Sequence, residues 1–271
     1  MASIYGDDTP DSIKNSKGLH LVTQSTPNGQ KVQIFLEELK ELYGTEWDTT
    51  LINIGTNEQK KDWFLRLDPN GRIPILVDNS VSPPFTQSLF HDNYQTHTLT
   101  PPGPRNLRRT PLPRKEIRQK RRLRLQRRTR AQRSPPMALL LARLGRTLPR
   151  PNQPLHARAP EKIPYAINRF RNETLRVYGV LEIRLSGKYT GEPREYLAGK
   201  GKGKYSVADI GTWPWVKGWK MSGFTEEELS AFPHLLKWVD RIAERPAVKR
   251  GISEKYSKDS TDSSVAKWKL Q

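Results

Sequence analysis

The sequence predicts an α/β layer followed by an all-α domain, with a chemically different segment between them. Short apolar runs alternate with helical patterns before residue 86, and helical periodicity dominates after residue 158. Between these parts lie 18 of the 47 Lys and Arg residues. The 271 residues with 34% hydrophobic content can bury a sizeable core, and the lack of Cys excludes a disulfide framework, thiolate metal sites and a cysteine nucleophile.

The first part alternates strand and helix signals. Leu19 to Thr23 is an apolar, β-branched run that ends in a turn, and it predicts the first strand. Asn28 is the predicted N-cap of a helix that ends at Gly44. Further along the chain the pattern predicts a strand over residues 47–54, a short helix over residues 58–67 and an apolar strand after the turn at residues 70–71. The order β-α-β-α-β indicates an α/β layer.

The last part is helical. An apolar stripe, which Gly187 ends, predicts a long helix, and its members are Ile163, Ala166, Ile167, Phe170, Thr174, Val177, Leu181 and Leu185. Ser206 and Asp209 have the spacing of a capping box and predict the start of a helix that contains two tryptophans. A further helix begins at Pro233 and ends before Pro246, with its apolar residues inward.

These signals divide the chain into five parts. We expect a flexible tail over residues 1–16, a folded α/β domain over residues 17–85 and a basic, Arg- and Pro-rich segment over residues 86–158 that is disordered. A helical domain follows over residues 159–251, and a second flexible tail ends the chain at residues 252–271.

The net charge of +19 is concentrated in one segment. Residues 86–158 contain 18 basic residues against Asp92 and Glu116, so this segment carries +16, and the rest of the chain carries only +3. Such a segment is typical of a disordered arm that binds nucleic acid without sequence preference, but it lacks the interleaved aromatic residues of a stacking platform. No apolar stretch reaches membrane-spanning length and the first residues lack a signal-peptide core, so we expect a soluble, cytoplasmic protein.

Five motifs carry a resemblance to a known family. In chain order they are TPNGQKV at 26–32, NGRIPIL at 70–76, APEKIPYAI at 159–167, YSVADIGTWPWV at 205–216 and FPHLLKWVDRIAERPAV at 232–248. These motifs resemble glutathione transferases, and most closely the fungal nitrogen-regulator-like branch and the related bacterial disulfide-bond oxidoreductases. The resemblance covers residues 17–85 and 159–251. It implies a thioredoxin-like domain with a cis bond before Pro74, a helical bundle, glutathione as co-substrate and usually a homodimer in the cytosol.

The basic segment departs from the family, and its composition suggests a shifted reading frame. Starting one nucleotide later, RNLRRTPLP at 105–113 can be read as ETSAAPLYL, and MALLLARLGRTLPRP at 137–151 can be read as WLFFWHGSGAPYQGQ. The first of these reads like the helix start that holds the γ-glutamyl group of glutathione in the family. Residues 86–104 give nothing familiar in any frame tried and suggest a retained intron. A natural basic insertion is the alternative.

The resemblance also implies candidate site residues. Thr26 and Asn28 match the residues that face the glutathione thiolate at the start of the first helix, while the simpler interpretation of Asn28 is an N-cap alone. Ile73, before Pro74, matches the residue whose backbone pairs with the cysteinyl unit. Gln59 matches a side chain that contacts the glycyl end, or it is a solvated helix residue. Arg72 is a carboxylate partner or, as we favour, a surface charge.

The acidic residue and Ser that would hold the γ-glutamyl group are replaced in this frame by Arg105, Asn106 and Leu107. We therefore expect impaired activity in a glutathione transferase that, in its in-frame parent, conjugates glutathione to small electrophiles or reduces glutathione-linked disulfides. Two alternatives remain open: a catalytically inactive binding or regulatory member of the same fold, and a basic nucleic-acid-binding protein. The five histidines have no metal-ligand spacing, and no metal site is expected.

Overall fold

A mixed four-stranded sheet forms the centre of the first folded unit. The computed structural model describes residues 4–82, 84–88 and 161–257. The strands are β1 (Leu19–Thr23), β2 (Trp47–Leu51), β3 (Ile75–Asp78) and β4 (Phe85–Ser88). Their spatial order is β2-β1-β3-β4, with β1 and β2 parallel and the other two pairs antiparallel. This sheet confirms the predicted α/β layer, and β4 extends it three residues past the predicted boundary at residue 85.

Three helices accompany the sheet. They are α1 (Asp11–Lys14), α2 (Pro27–Tyr43) and α3 (Asp62–Leu67). Between β2 and α3 the chain makes two 3₁₀ turns, at Ile54–Thr56 and Glu58–Lys60. The predicted helix over residues 58–67 is therefore divided, because Lys61 is extended and separates the second turn from α3. One face of the sheet is covered by α1 and α3, whose buried side chains pack with those of the strands: Ile13, Val22, Ile52, Trp63, Phe64, Leu67, Ile73, Ile75 and Val77.

The second unit is helical, as predicted. Its helices are α4 (Pro164–Ser186), α5 (Val207–Val216), α6 (Glu226–Ser230), α7 (Pro233–Ala243) and α8 (Pro246–Gly251). Gly187 ends α4 in a left-handed conformation, and Ser206 with Asp209 forms the predicted capping box at α5. The stripe on α4 is fully buried only from Thr174 onward. Ile163, just before the helix, is 46% exposed, and Ala166, Ile167 and Phe170 are half-buried.

The two units share an interface along α2. Both α5 and α8 pack against α2, and any side chain in place of Gly251 would collide with Ile34, so the glycine allows α8 to approach closely. Arg245 donates two hydrogen bonds to the carboxylate of Glu38, at 2.9 and 3.0 Å. The interface therefore combines close packing with charge-assisted hydrogen bonds.

Both predicted flexible tails contain packed residues, and the expectation of flexibility is wrong for these parts. Ile13, on α1, is fully buried against the core of the sheet. At the other end of the chain, Tyr256 is fully buried and donates a hydrogen bond to Glu37 at 2.9 Å. Short segments with a single large apolar residue lack periodicity, but one buried side chain stabilises them through its contact area.

The remaining expectations on segment structure lie outside the described residues. These concern the basic segment from residue 89 onward and the end of the chain from residue 258. Within the described ranges, no helix is both long enough and apolar enough to cross a membrane.

Candidate functional site

The topology brings the predicted site residues to one edge of the sheet. Because β1 and β2 are parallel, both end at this edge, where Thr23 lies beside Leu51. The antiparallel strand β3 begins there, with Ile75 opposite Val22. The turn before α2, the 3₁₀ turns after β2 and the residues before β3 therefore meet at this edge. This edge, with residues 24–28, 53–59 and 71–74, is the candidate site.

Thr26 caps α2 and thereby shapes the start of the site. Its side-chain oxygen accepts a hydrogen bond from the Gly29 amide at 3.3 Å, and its backbone is extended. The predicted N-cap, Asn28, is wrong: Asn28 lies inside the first turn, because Pro27 occupies the first helical position and so places the cap one residue earlier. The half-buried Asn28 side chain makes no hydrogen bond with the described part of the chain.

Gly29 fixes the distance between α2 and the end of β1. A side chain at this position would collide with the Gln24 carbonyl oxygen, so only glycine lets the first turn of the helix lie this close. Pro27 has no amide hydrogen and the Gly29 amide donates to Thr26, so this end offers an anion the Asn28 amide and the positive end of the helix dipole. The start of α2 is therefore suited to a thiolate or another anion.

Gln24 and Gln59 connect the site to the 3₁₀ turns after β2. The Gln24 side chain accepts a hydrogen bond from the Ile54 amide at 3.0 Å. The Gln59 amide group donates to the Ile54 carbonyl at 3.5 Å and to the Asn57 side chain at 3.4 Å. The buried Gln59 side-chain oxygen has no partner among the described residues. Gln59 is thus half-buried, and its amide group contacts the 3₁₀ turns.

Asp68 fixes the loop that leads into β3. Its carboxylate accepts hydrogen bonds from the Asn70 and Arg72 amides, each at 3.2 Å. The Arg72 side chain is exposed, as the surface interpretation expects. The Ile73–Pro74 bond is cis, which confirms the expectation from the resemblance, and both residues are buried.

Sequence reasoning missed three residues that shape this region. Gln24 and Asp68 orient the loops, and Asp68 could have been found as the first residue of a turn, since Asp side chains accept from amides two residues on. Lys31, only 6% exposed, places its ammonium group 5.2 Å from the centre of the Trp215 ring. This contact joins α2, one turn past Asn28, to the helical unit. The sequence signal that could have shown this contact is a lysine between the apolar residues of α2.

The arrangement offers an anion site without a nucleophile of its own. Thr26 uses its oxygen as an acceptor, and its hydroxyl proton is able to donate to a ligand. The chain has no Cys, so any thiol used here comes from a ligand. Among the described residues, no group of three or more His, Asp or Glu side chains is placed to hold a metal ion. Residues 105–107, where the γ-glutamyl contacts were expected, lie outside the described residues.

Two family models match the chain. Residues 26–89 match the glutathione S-transferase N-terminal domain, and residues 161–254 match the glutathione S-transferase C-terminal domain. The two matches together span more than half of the chain and coincide with the two folded units.

Curated relatives and solved structures agree with these matches. The disulfide-bond oxidoreductases YghU and YfcG of Escherichia coli are 31% and 32% identical; the alignments cover 86% and 84% of this chain and 73% and 91% of theirs. YghU of Streptococcus pneumoniae, complexed with glutathione, has a TM-score of 0.64 at 26% identity, covering 94% of this chain and 89% of its own. A glutathione transferase homologue of Lodderomyces elongisporus, with two glutathione molecules per subunit, has a TM-score of 0.59 at 27% identity, covering 87% and 98%.

Proposed function

Because the chain belongs to the glutathione S-transferase family, we propose that its candidate site holds glutathione and directs the glutathione thiolate at a disulfide. The observation that carries this proposal is the capped N-terminus of α2, where the Thr26 hydroxyl lies at the positive end of a helix. Since the chain has no Cys, the reacting thiols belong to glutathione and its partner. The relatives named disulfide-bond oxidoreductases support the choice of a disulfide as second substrate.

The proposed contacts follow the edge of the sheet. Thr26 and Asn28 face the thiolate and stabilise its negative charge with a hydroxyl and an amide donor. The Ile73 backbone, fixed beside the buried Pro74, pairs with the cysteinyl unit. Gln59 contacts the glycyl end through its side-chain NH₂ group, which can donate to a carboxylate, and the exposed Arg72 offers a cation to a glutathione carboxylate.

The proposed reaction is thiol–disulfide exchange. The thiolate sulfur of bound glutathione attacks the glutathione sulfur of a mixed disulfide, forms a new S–S bond and breaks the old one. The substrate thiol leaves as a thiolate and takes up a proton. One free glutathione is thereby oxidised, since its sulfur joins the glutathionyl group of the mixed disulfide in glutathione disulfide, and the substrate sulfur is reduced to a thiol.

Conjugation is the second candidate function. The same thiolate would attack a small electrophile, because the site stabilises the charge of the thiolate and has no group that selects a disulfide over another substrate. Structural neighbours described as glutathione transferases favour this candidate. The ratio of disulfide reduction to conjugation of a chlorinated nitrobenzene measures which reaction dominates.

We also propose that this chain binds glutathione weakly. Arg105, Asn106 and Leu107 stand where the resemblance places an acidic residue and a Ser, and a cationic side chain cannot accept from the γ-glutamyl ammonium group. Loss of one partner in a charged contact costs about 2–5 kcal/mol, which lowers affinity by tens to thousands of fold. Complete loss would make the chain a catalytically inactive binding protein of the same fold.

Two measurements test these proposals separately. Asn28→Ala lowers the rate of reduction of the glutathione–hydroxyethyl mixed disulfide about tenfold or more, while Asn168→Ala, an exposed asparagine on α4, leaves the rate unchanged. Equal rates for both variants would exclude the proposed site.

Calorimetry tests the affinity: a chain with codons 105–153 read one nucleotide later binds glutathione at least tens of fold more tightly. Retention of the present chain on immobilised glutathione, with elution by millimolar free glutathione, contradicts weak binding.

The proposal extends to the oligomeric state of the protein and the compartment in which it acts. We propose a homodimer, supported by the resemblance and by Phe85 on the edge strand β4, which is 49% exposed. A compartment rich in reduced glutathione, the cytoplasm, fits the reaction. Light scattering after gel filtration measures the mass, and a monomer at all concentrations would exclude the dimer.

A further inference from the structure

A charged groove lies at the edge of the sheet opposite the candidate site. Its volume is about 400 Å³, within the range of pockets that hold small molecules. The starts of β1 and β2 form its floor, with α2 beside them and the C-terminal segment above. Lys40 lies 13 residues after the first residue of α2, so the groove is about 20 Å from the start of that helix. The groove and the candidate site are therefore separate.

Trp47 supplies the apolar wall of the groove. Its half-buried indole faces two ammonium groups: that of Lys255 lies 4.8 Å from the ring centre, and that of Lys40 lies 5.9 Å away. Lys255 is held in place, since it also donates a hydrogen bond to the buried Glu37 at 3.1 Å. The ring and one of the cations are therefore pre-positioned at the groove.

Charges of both signs line this groove without pairing with one another. Besides Lys255, the lining includes Lys17, Lys40, Glu46 and Asp48. None of these four forms an ion pair within 4 Å with any part of the chain that the structure describes. Asp48 lies beside His20, on the face of β2 opposite Trp47, so Glu46 is the carboxylate that the groove offers beside its lysines. Groups of both charges at one groove present partners for a molecule that carries both charges.

We propose that this groove binds a small zwitterion of amino-acid or dipeptide size. The carboxylate of the ligand pairs with the ammonium groups of Lys17 and Lys40, and its ammonium group pairs with Glu46. The body of the ligand packs against Trp47. A simple anion satisfies only the lysines and lies near the Glu46 carboxylate, so the zwitterion binds more tightly than either of its halves.

Nuclear magnetic resonance of ¹⁵N-labelled tryptophan side chains tests this proposal on the full chain. Trp47→Phe identifies the Trp47 indole signal. Three probes of similar size are titrated: glycylglycine as the zwitterion, N-acetylglycine as the anion and glycinamide as the cation. Glycylglycine shifts the Trp47 signal saturably in the millimolar range, and the other two bind at least threefold more weakly.

Paired variants locate the contacts. Lys17→Gln and Glu46→Gln each weaken glycylglycine binding at least threefold, whereas Lys204→Gln, an exposed lysine outside the groove, leaves it unchanged. No saturable shift up to 50 mM glycylglycine would overturn the proposal. Equal affinities for all three probes, or equal effects of Lys17→Gln and Lys204→Gln, would overturn it as well. None of these readouts depends on glutathione chemistry.

Discussion

The buried carboxylates of the scaffold differ from the polar groups of the candidate site in how fully their hydrogen bonds are used. Asp209 is fully buried and accepts from the Leu197 amide, the Trp238 indole and the Ser206 amide at 2.9–3.0 Å. At the site, by contrast, the Gln59 side-chain oxygen has no partner among the described residues. The scaffold group is saturated, and the site group retains capacity.

Glu37 belongs to the saturated class. This side chain on α2 is 3% exposed and accepts from Arg250 at 3.0 Å, Lys255 at 3.1 Å and Tyr256 at 2.9 Å. Burial alone would raise its pKa, and the three donors together lower the pKa below its ordinary value. Full use of a buried charge indicates a role in folding. Unpaired buried groups also occur in the core, as at Gln33 and Tyr178, so Gln59 is a candidate contact because of its place at the candidate site.

The largest expected effect is on stability, from Asp209→Ala. The change leaves two buried donors and the half-buried Ser206 amide without a partner, so we expect a loss of about 3–5 kcal/mol in the free energy of unfolding. Urea unfolding followed by circular dichroism measures it. Asp240→Ala, at an exposed position on α7, is the control and changes stability by less than about 0.5 kcal/mol. A loss below 1 kcal/mol for Asp209→Ala would show that a buried carboxylate with all its hydrogen bonds made does not contribute strongly to stability.

Glu37→Gln has the next largest effect. We expect a loss of about 2 kcal/mol, less than for Asp209, because the cations of Arg250 and Lys255 are half exposed and regain water. Glu41→Gln removes an exposed partner of Arg250 and costs less than about 0.5 kcal/mol. Because the folded pKa of Glu37 is lowered, its contribution is present above about pH 4.3 and is lost as the pH falls through the folded pKa. Equal losses for both variants would show that burial of Glu37 does not matter.

Thr26→Ala has a smaller effect on stability and a larger one on activity. Loss of the cap on α2 costs about 1 kcal/mol, and loss of the hydroxyl donor lowers the rate of disulfide reduction. Thr26→Ser keeps the oxygen and retains both stability and rate. Unfolding curves and the mixed-disulfide assay measure the two effects. If Thr26→Ser reduces the mixed disulfide as slowly as Thr26→Ala does, the hydroxyl is not the group that acts at the site.

The sequence predicted those parts of the fold that rest on local chemistry. The capping box at Ser206 and Asp209 and the end of α4 at Gly187 follow from spacing or backbone preference, and the structure confirms them. The order of the first three strands is also confirmed, whereas α1 and β4 were not predicted. The burial of Ile13 and Tyr256 was missed because it depends on contacts with residues distant in sequence.

The candidate site was less predictable from residues alone. Asn28 was the better N-cap by type, yet Pro27 moved the cap to Thr26. The positions of Gln59 and Ile73 came from the resemblance, because two short loops carry no pattern that shows they meet. The roles of Gln24 and Lys31 depend on the close approach of separate elements, which sequence spacing cannot give.

The smallest expected effect concerns His20, a buried group that belongs to neither class. One ring nitrogen lies 2.8 Å from the Thr50 hydroxyl, while the other is buried without a partner among the described residues. Burial lowers the pKa of His20, and Asp48 partly opposes this by raising it. The unfolded chain therefore takes up a proton near pH 6.5 more readily than the folded chain does. Stability is fully present above that pH and declines as the pH falls toward the lowered folded pKa. Urea unfolding between pH 7.5 and 5 measures this slope, which is shallower in His20→Gln. Equal slopes of the unfolding free energy against pH in the two proteins would show that folding does not disfavour protonation of His20.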